Sequence, residues 1–239
     1  MDAPPAGLVF SHPDPVLRTR GLGGLRYLFA RGFLLDLPRA AAARTLGARL
    51  RGTLPDTTVV PFVWHLVSHG PSDPLGGRGP RRPAGDPSAF GGLRDTEAVA
   101  TALAAQVEST RAIGADTWLV HSPPSITPGP VGRQRLADFF ARSRALGFAP
   151  MWLPEGLWEA DDAAAFARSH DVRLLWPVGP QPDSDALPAG ALAVVRPRRP
   201  HLRPAEVDSY ALLQARAVVF AGPHAPGAAA RYLRETTGG

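Results

Sequence analysis

The chain contains no cysteine, no lysine and no asparagine. Without cysteine, disulfides and thiolate chemistry are excluded. Without lysine, Schiff-base and amine catalysis are excluded. Lysine and asparagine both use A-rich codons, so their joint absence points to a GC-rich genome. No run of about 18 apolar residues occurs, and no transmembrane helix is expected. The start, Met1-Asp2-Ala3-Pro4-Pro5, lacks the basic residues and apolar run of a secretory signal. A cytoplasmic protein is the expectation. G-x-S-x-G is absent, as is a P-loop, and no G-x-G-x-x-G follows the first apolar run, so a serine hydrolase elbow and two nucleotide-binding loops lose their basis.

All 26 basic side chains are therefore arginines, the net charge is +5, and the pI is near 10.8. A guanidinium stays charged and forks well onto phosphate or carboxylate, so the balance favours anionic partners. The 239 residues are 44% hydrophobic, enough for a sizeable core and close to the usual size of one (β/α)8 barrel. Short apolar runs recur at 7–10, 33–35, 58–64, 117–120, 149–153, 172–176, 191–195 and 217–221. Being continuous and not alternating, they suit strands covered on both faces. Helical patterns lie between most of them, at 38–50, 95–113, 133–146, 161–170, 204–214 and 226–234, with a weaker, glycine-interrupted one at 16–29. Residues 177–190 read as loop, so one helix of the ideal set is expected to be short or missing. The expected fold is α/β, a single TIM-type (β/α)8 barrel over residues 1–239. Residues 70–92, rich in Gly and Pro, form a long loop over the strand C-terminal face.

Following each run to its C-terminal end brings out the polar residues. They are His12, Asp36, His65 and then His69, His121, Glu155, Arg196 and His224. Barrel enzymes build their active sites on that rim, so these side chains are expected to share a pocket. His12, Asp36, His65, His121, Glu155 and His224 are the catalytic candidates. Imidazoles with carboxylates are ligands for a divalent metal that would acidify a water, or else a His and Glu155 act as a metal-free acid/base pair. No H-x-H or H-E-x-x-H spacing selects the metal. Arg196, Arg198 and Arg199, with Arg203 beyond them, and Arg78, Arg81 and Arg82 in the long loop are candidates for holding an anionic small molecule. Trp64, Trp118, Trp152 and Trp176 fall inside strand runs and are expected to fill the barrel, leaving Trp158 as the exposed ring. Nucleic-acid binding, which adds aromatic stacking to basic groups, is correspondingly disfavoured.

The segment Leu119-Val120-His121-Ser122-Pro123-Pro124-Ser125-Ile126-Thr127-Pro128 resembles the fourth-strand signature of the DUF72 (YecE-like) family, approximately L-x-Q-x-P-P-S-F-x-P. Weaker likenesses follow the same order: Ser68-His69 to the family's Thr-His, 151–158 to V-E-F-R-H-x-x-W, Val194-Val195-Arg196 to V-R-x-H-G, and Pro204-Ala205-Glu206-Val207 to a Y-S/T-x-x-E-L helix start. The resemblance implies a barrel, in a family whose chemistry is unsettled. The departures are as informative. The Gly-Thr-Ser-Gly-Trp opening is absent, E-x-N is reduced to Asp36, and the fifth-strand Glu and Arg fall on Trp152 and Pro154. The fourth-strand Gln is His121, and the eighth-strand Asn falls in Gly222-Pro223-His224. Of the family's polar pocket groups, Arg196 is the one retained, which implies a divergent member with a rebuilt pocket. Two functions fit. One is a hydrolase-type enzyme acting on an anionic or phosphorylated small substrate at the rim. The other is a non-catalytic binding or assembly barrel that holds an anionic partner through basic residues.

Overall fold

The computed structural model describes residues 3–75, 79, 85–179 and 187–237. Eight strands run parallel: β1 (Ala6–Phe10), β2 (Leu25–Ala30), β3 (Thr58–Pro61), β4 (Thr117–Ser122), β5 (Ala149–Pro154), β6 (Arg173–Pro177), β7 (Leu192–Val195) and β8 (Val218–Phe220). Their order is β3-β2-β1-β8-β7-β6-β5-β4. A parallel bridge from Phe62 to Leu119 brings the two ends together, with Val63 N–H donating to the Leu119 carbonyl at 2.8 Å. The fold is a TIM-type barrel. Around it lie α1 (Pro13–Arg18), α2 (Gly32–Leu35), α3 (Ala40–Thr53), α4 (His65–Ser68), α5 (Glu97–Ile113), α6 (Pro130–Ala145), α7 (Ala160–Ser169), α8 (Pro204–Ala211) and α9 (Ala225–Thr237). Among the described residues no helix lies between β6 and β7. Nor is any helix there long and apolar enough to cross a membrane.

The best-patterned helix, α5, shows why the segments fold locally. The Thr96 hydroxyl accepts from Val99 N–H, and Gly114 in the left-handed region ends the helix, with its N–H turned back to Arg111 and Thr110 carbonyls. One face buries Val99, Leu103, Gln106 and Ile113.

The second strand differs from the sequence reading. It runs over Leu25–Ala30, inside the window expected to be helical, and the 33–35 run is the short helix α2. Glycines at 21, 23 and 24 mark a turn, Gly21 with φ of 81°, and not a weak point in a helix. Leu25 to Ala30 can then pair with β1 along its whole length.

Alternation sorts the strand residues into two cores. Phe29, Val60, Phe62, Leu119, Met151, Leu175, Leu192, Val194 and Val219 fill the barrel interior, and Leu75 of the long loop packs on them from the mouth. Outward-facing neighbours, among them Leu28, Trp118, Val120, Trp152, Val195 and Phe220, pack under the helices. The tryptophans expected to fill the barrel therefore do not. Trp118 stacks on Phe148 at 4.3 Å and donates to Ser143 Oγ of α6, while Trp152 meets Trp158 edge-on at 4.8 Å. Each ring is too large for an interior that eight strands share, and the sheet–helix layer offers an N–H partner. Trp158 is itself buried, donating to Ile126 O at 2.8 Å, with the Arg133 guanidinium 5.1 Å over its ring.

The seam between β3 and β4 depends on a side chain from outside the sheet. Fully buried Gln106 of α5 accepts from Trp64 N–H at 2.9 Å and donates to Phe62 O and Thr110 Oγ1. These backbone groups would otherwise be buried with no ladder partner. Gln106→Leu, close in volume, should therefore cost about 1–3 kcal/mol for each group left unsatisfied. The expected result is a lower urea midpoint with an unchanged m-value. A variant as stable as the parent would show that water satisfies the seam instead.

Candidate functional site at the barrel mouth

All eight strand ends contribute to one cavity of about 330 Å³ at the C-terminal mouth. Its floor is apolar, with Val9, Phe62, Leu119, Leu153, Leu175 and Val194. Its polar lining is His121, Glu155, Arg31 and Arg196. His121 reaches the mouth because residues 119 and 121 point inward on β4 while Val120 points outward. Glu155 follows β5, where its N–H continues the sheet ladder to Ser122 O at 3.1 Å. The next residue, Gly156, has φ of 86°, and a Cβ there would lie 2.8 Å from Pro124 Cα. The double proline after β4 and the glycine after β5 thus fit against each other and hold the two strand ends in place.

His121 Nε2 lies 2.9 Å from Glu155 Oε1, with the histidine 9% exposed and the carboxylate 46% exposed toward the mouth. The imidazole N–H donated to it holds the Glu155 carboxyl below its ordinary range. Partial burial opposes this, while the neighbouring His121 and Arg196 act with it. At neutral pH Glu155 is a carboxylate with a hydrogen-bond donor behind it and two guanidinium groups in the same cavity.

His69 lies behind His121, with ring centroids 5.3 Å apart. Burial, and then the neighbouring His121 and His65, push its pKa down to about 3, with Glu155 opposing, so it is neutral. Its Nδ1 is 2.8 Å from Ser68 Oγ. Asp73 of the long loop is buried and accepts from Gly70 N–H and from the Ser125 hydroxyl at 2.9 Å, tying that loop to the Pro-Pro-Ser exit of β4.

The other expected site residues lie elsewhere. His65 begins α4, is 1% exposed, and bonds through Nδ1 to Leu34 O at 2.8 Å; burial lowers its pKa against that bond. Asp36 ends α2 instead of a strand and is exposed outside the cavity. His12 caps α1 and lines an adjoining pocket of about 280 Å³ that shares Val9, Arg31, Gly222 and Pro223 with the mouth. His224 is half-buried before α9, and Arg198 and Arg199 are exposed beyond Arg196; none of the three lines the mouth cavity. Arg78, Arg81 and Arg82 lie outside the described residues. Among the described residues no three His, Asp or Glu side chains come close enough to hold a metal ion. Of the expected site residues, His121 and Glu155 are in contact. Arg31 went unrecognised in the sequence because β2 was assigned too late; it directly follows β2, and its N–H bonds Phe10 O at 2.8 Å.

No protein-family profile matches the chain, and no curated protein does. Solved structures do. A crystal structure of D-psicose 3-epimerase in the presence of D-fructose matches with a TM-score of 0.53 at 10% identity, over 98% of this chain and 100% of that one. The 3-keto-L-gulonate-6-phosphate decarboxylase from Vibrio cholerae matches with a TM-score of 0.52 at 11% identity, over 98% and 97%. A DUF72 family protein from Enterococcus faecalis matches with a TM-score of 0.55 at 10% identity, over 100% and 96%. The likeness is one of fold. The DUF72 protein stands beside sugar-converting barrels at the same level, and the sequence resemblance to that family has no further support.

Two expectations follow. Gly156→Ala, strained in φ and pressed against Pro124 backbone, should cost about 1–3 kcal/mol and loosen the Glu155–His121 contact, read as a lower Tm and shifted His121 NMR resonances. The second concerns acid. His69 has a folded-state pKa of about 3 against an ordinary 6.5, so the unfolded chain binds the extra proton between those values. This contribution is complete above pH 6.5 and declines as pH falls, by about 1.4 kcal/mol per unit. His69→Phe should flatten stability against pH between about pH 6 and 4; an unchanged slope would assign the acid loss to other groups.

Proposed function

We propose that the chain is an enzyme of hydrolytic type that binds a small anionic compound, such as a phosphate ester, in the barrel mouth. In this reading Glu155 is the general base and His121 orients it. The observation that carries it is the Glu155–His121 contact at 2.9 Å on a cavity that also holds Arg31 and Arg196. A carboxylate with one face open to the mouth can take a proton from an attacking water. The imidazole then stabilises the carboxylate when the proton leaves again. The two arginines supply planar, permanently charged donors for the anionic group. Fold-level likeness to barrel enzymes, one of them named for a sugar phosphate, is consistent with chemistry at this face and does not select the reaction.

The alternative, a binding barrel without catalysis, draws on a different observation: of the six acids and histidines expected at the mouth, His121 and Glu155 are the two that line its cavity. A panel of phosphorylated and carboxylated small molecules, screened by thermal shift and then for turnover, separates the two. Under the enzymatic reading Glu155→Gln lowers kcat by about 10²-fold or more while Kd changes little. Arg196→Gln weakens binding by roughly 10- to 100-fold, the loss of one or two charge-assisted hydrogen bonds. Binding that depends on Arg196 with no turnover of any compound favours the binding barrel, and turnover indifferent to Glu155→Gln removes the assigned base.

A further inference from the structure

The pocket of about 280 Å³ beside the mouth shares four lining residues with it, Val9, Arg31, Gly222 and Pro223. Gly222 lies just beyond β8 in the left-handed region, with φ of 96°, and a Cβ there would meet no atom within 4 Å. Space is therefore open where the two cavities meet. The side pocket is built by the close approach of two strand ends. Arg31 N–H donates to Phe10 O at 2.8 Å, and a Cβ on Gly32 would lie 2.6 Å from the Ser11 carbonyl oxygen. Those contacts hold the Ser11-His12 turn against the end of β2.

Phe10, Val16 and Pro226 give the side pocket apolar walls, and Ser11, His12 and Arg31 are its polar groups. Among the described residues no carboxylate lines it, and none pairs with the Arg31 guanidinium. The mouth alone, at about 330 Å³, is at the small end of the range of about 300–1,000 Å³ for ligand cavities.

We propose that the mouth and the side pocket are one ligand site in two parts, and that it takes a phosphodiester. One substituent lies in the mouth, the phosphate lies on Arg31 at the joint, and an uncharged, mainly apolar second substituent fills the side pocket. This rests on the mouth being the anion site proposed above, and it narrows the ligand from anionic compounds in general to those with two arms. A phosphomonoester has one substituent and leaves the side pocket unused. A diester carries a single charge between two groups, and the cavities present apolar wall, guanidinium and apolar wall in that same order. The planar guanidinium forks onto the two unesterified oxygens and never loses its charge. The side pocket lacks a second cation of that permanence, so its occupant is an uncharged group, for which the Ser11 hydroxyl and the His12 ring supply hydrogen-bonding partners.

Methyl phenyl phosphate and diphenyl phosphate test this by calorimetric titration of the whole chain. The two carry the same charge and differ in one arm. Diphenyl phosphate should bind roughly tenfold or more tightly, the gain from burying the second ring. Ser11 is exposed and lines the side pocket but not the mouth, so Ser11→Phe fills the side pocket and should bring the ratio of the two affinities close to one. On the parent protein, the NMR resonances of the His12 ring should move with diphenyl phosphate and stay with methyl phenyl phosphate, a readout that needs no variant. Equal affinities in the parent, a ratio unchanged in Ser11→Phe, or His12 resonances indifferent to the second ring overturn the two-part site. Should phenyl phosphate bind through Arg196 while the second ring adds nothing, the side pocket is what fails and the mouth remains the anion site. If no phosphate compound binds in a way that depends on Arg196, both readings fall together.

Discussion

The barrel closes at its weakest ladder, the seam where β3 meets β4, and the cavity exists only because that seam holds. β3 leaves the sheet at Pro61, and the chain turns into α4 within four residues. What remains to join the two strands is the Phe62–Leu119 bridge, the Val63–Leu119 hydrogen bond, and Gln106 reaching in from α5 to take up the backbone groups that no strand reaches. Closure is what carries residues far apart in the chain to one mouth. It also places the ring of Phe62 edge-on to His121 at 6.2 Å, so the structural seam and the polar pair are neighbours.

From that closure the character of the mouth follows. The interior is mainly aliphatic, with Phe29 and Phe62 among its rings, and the indoles lie in the outer layer, where Ser143, Ser122 and Ile126 take the N–H groups of Trp118, Trp152 and Trp158. Glu155 is held ionised at the mouth by the hydrogen bond from His121, with Arg196 acting in the same direction, and not by exposure alone. The loop after β3 adds a second constraint: Leu75 caps the interior and Asp73 fastens the loop to Ser125. The Pro-Pro-Ser segment that resembles a family signature thus has a mechanical role in this chain, whatever its relationship to that family.

The rim hypothesis was partly legible. His121, Glu155 and Arg196 could be named because each directly follows or ends a strand whose apolar run is unambiguous. His65 was misplaced because β3 ends at Pro61 and the rest of its apolar run leads into α4. Asp36 was misplaced because a one-turn helix of Phe and Leu reads like a strand, while a strand that opens with Leu-Arg-Tyr after glycines reads like a broken helix. Arg31 was hidden by the same error. His12 and His224 sit at helix starts one step beyond the strand ends, and that step is enough to carry them out of the mouth cavity.

The linear chain by itself determined seven of the eight strands, the helix end at Gly114, the exclusion of thiol and lysine chemistry, and an excess of charge that never titrates away. These depend on short-range periodicity and on which side chains exist. Tertiary structure decided which strand residues face inward, that Trp152 lies under helices, that Gln106 seals the ring, and that His69 stands behind His121. Each of those depends on contacts between residues distant in sequence, set by sheet closure and by the competition of large side chains for limited volume. No local pattern encodes them.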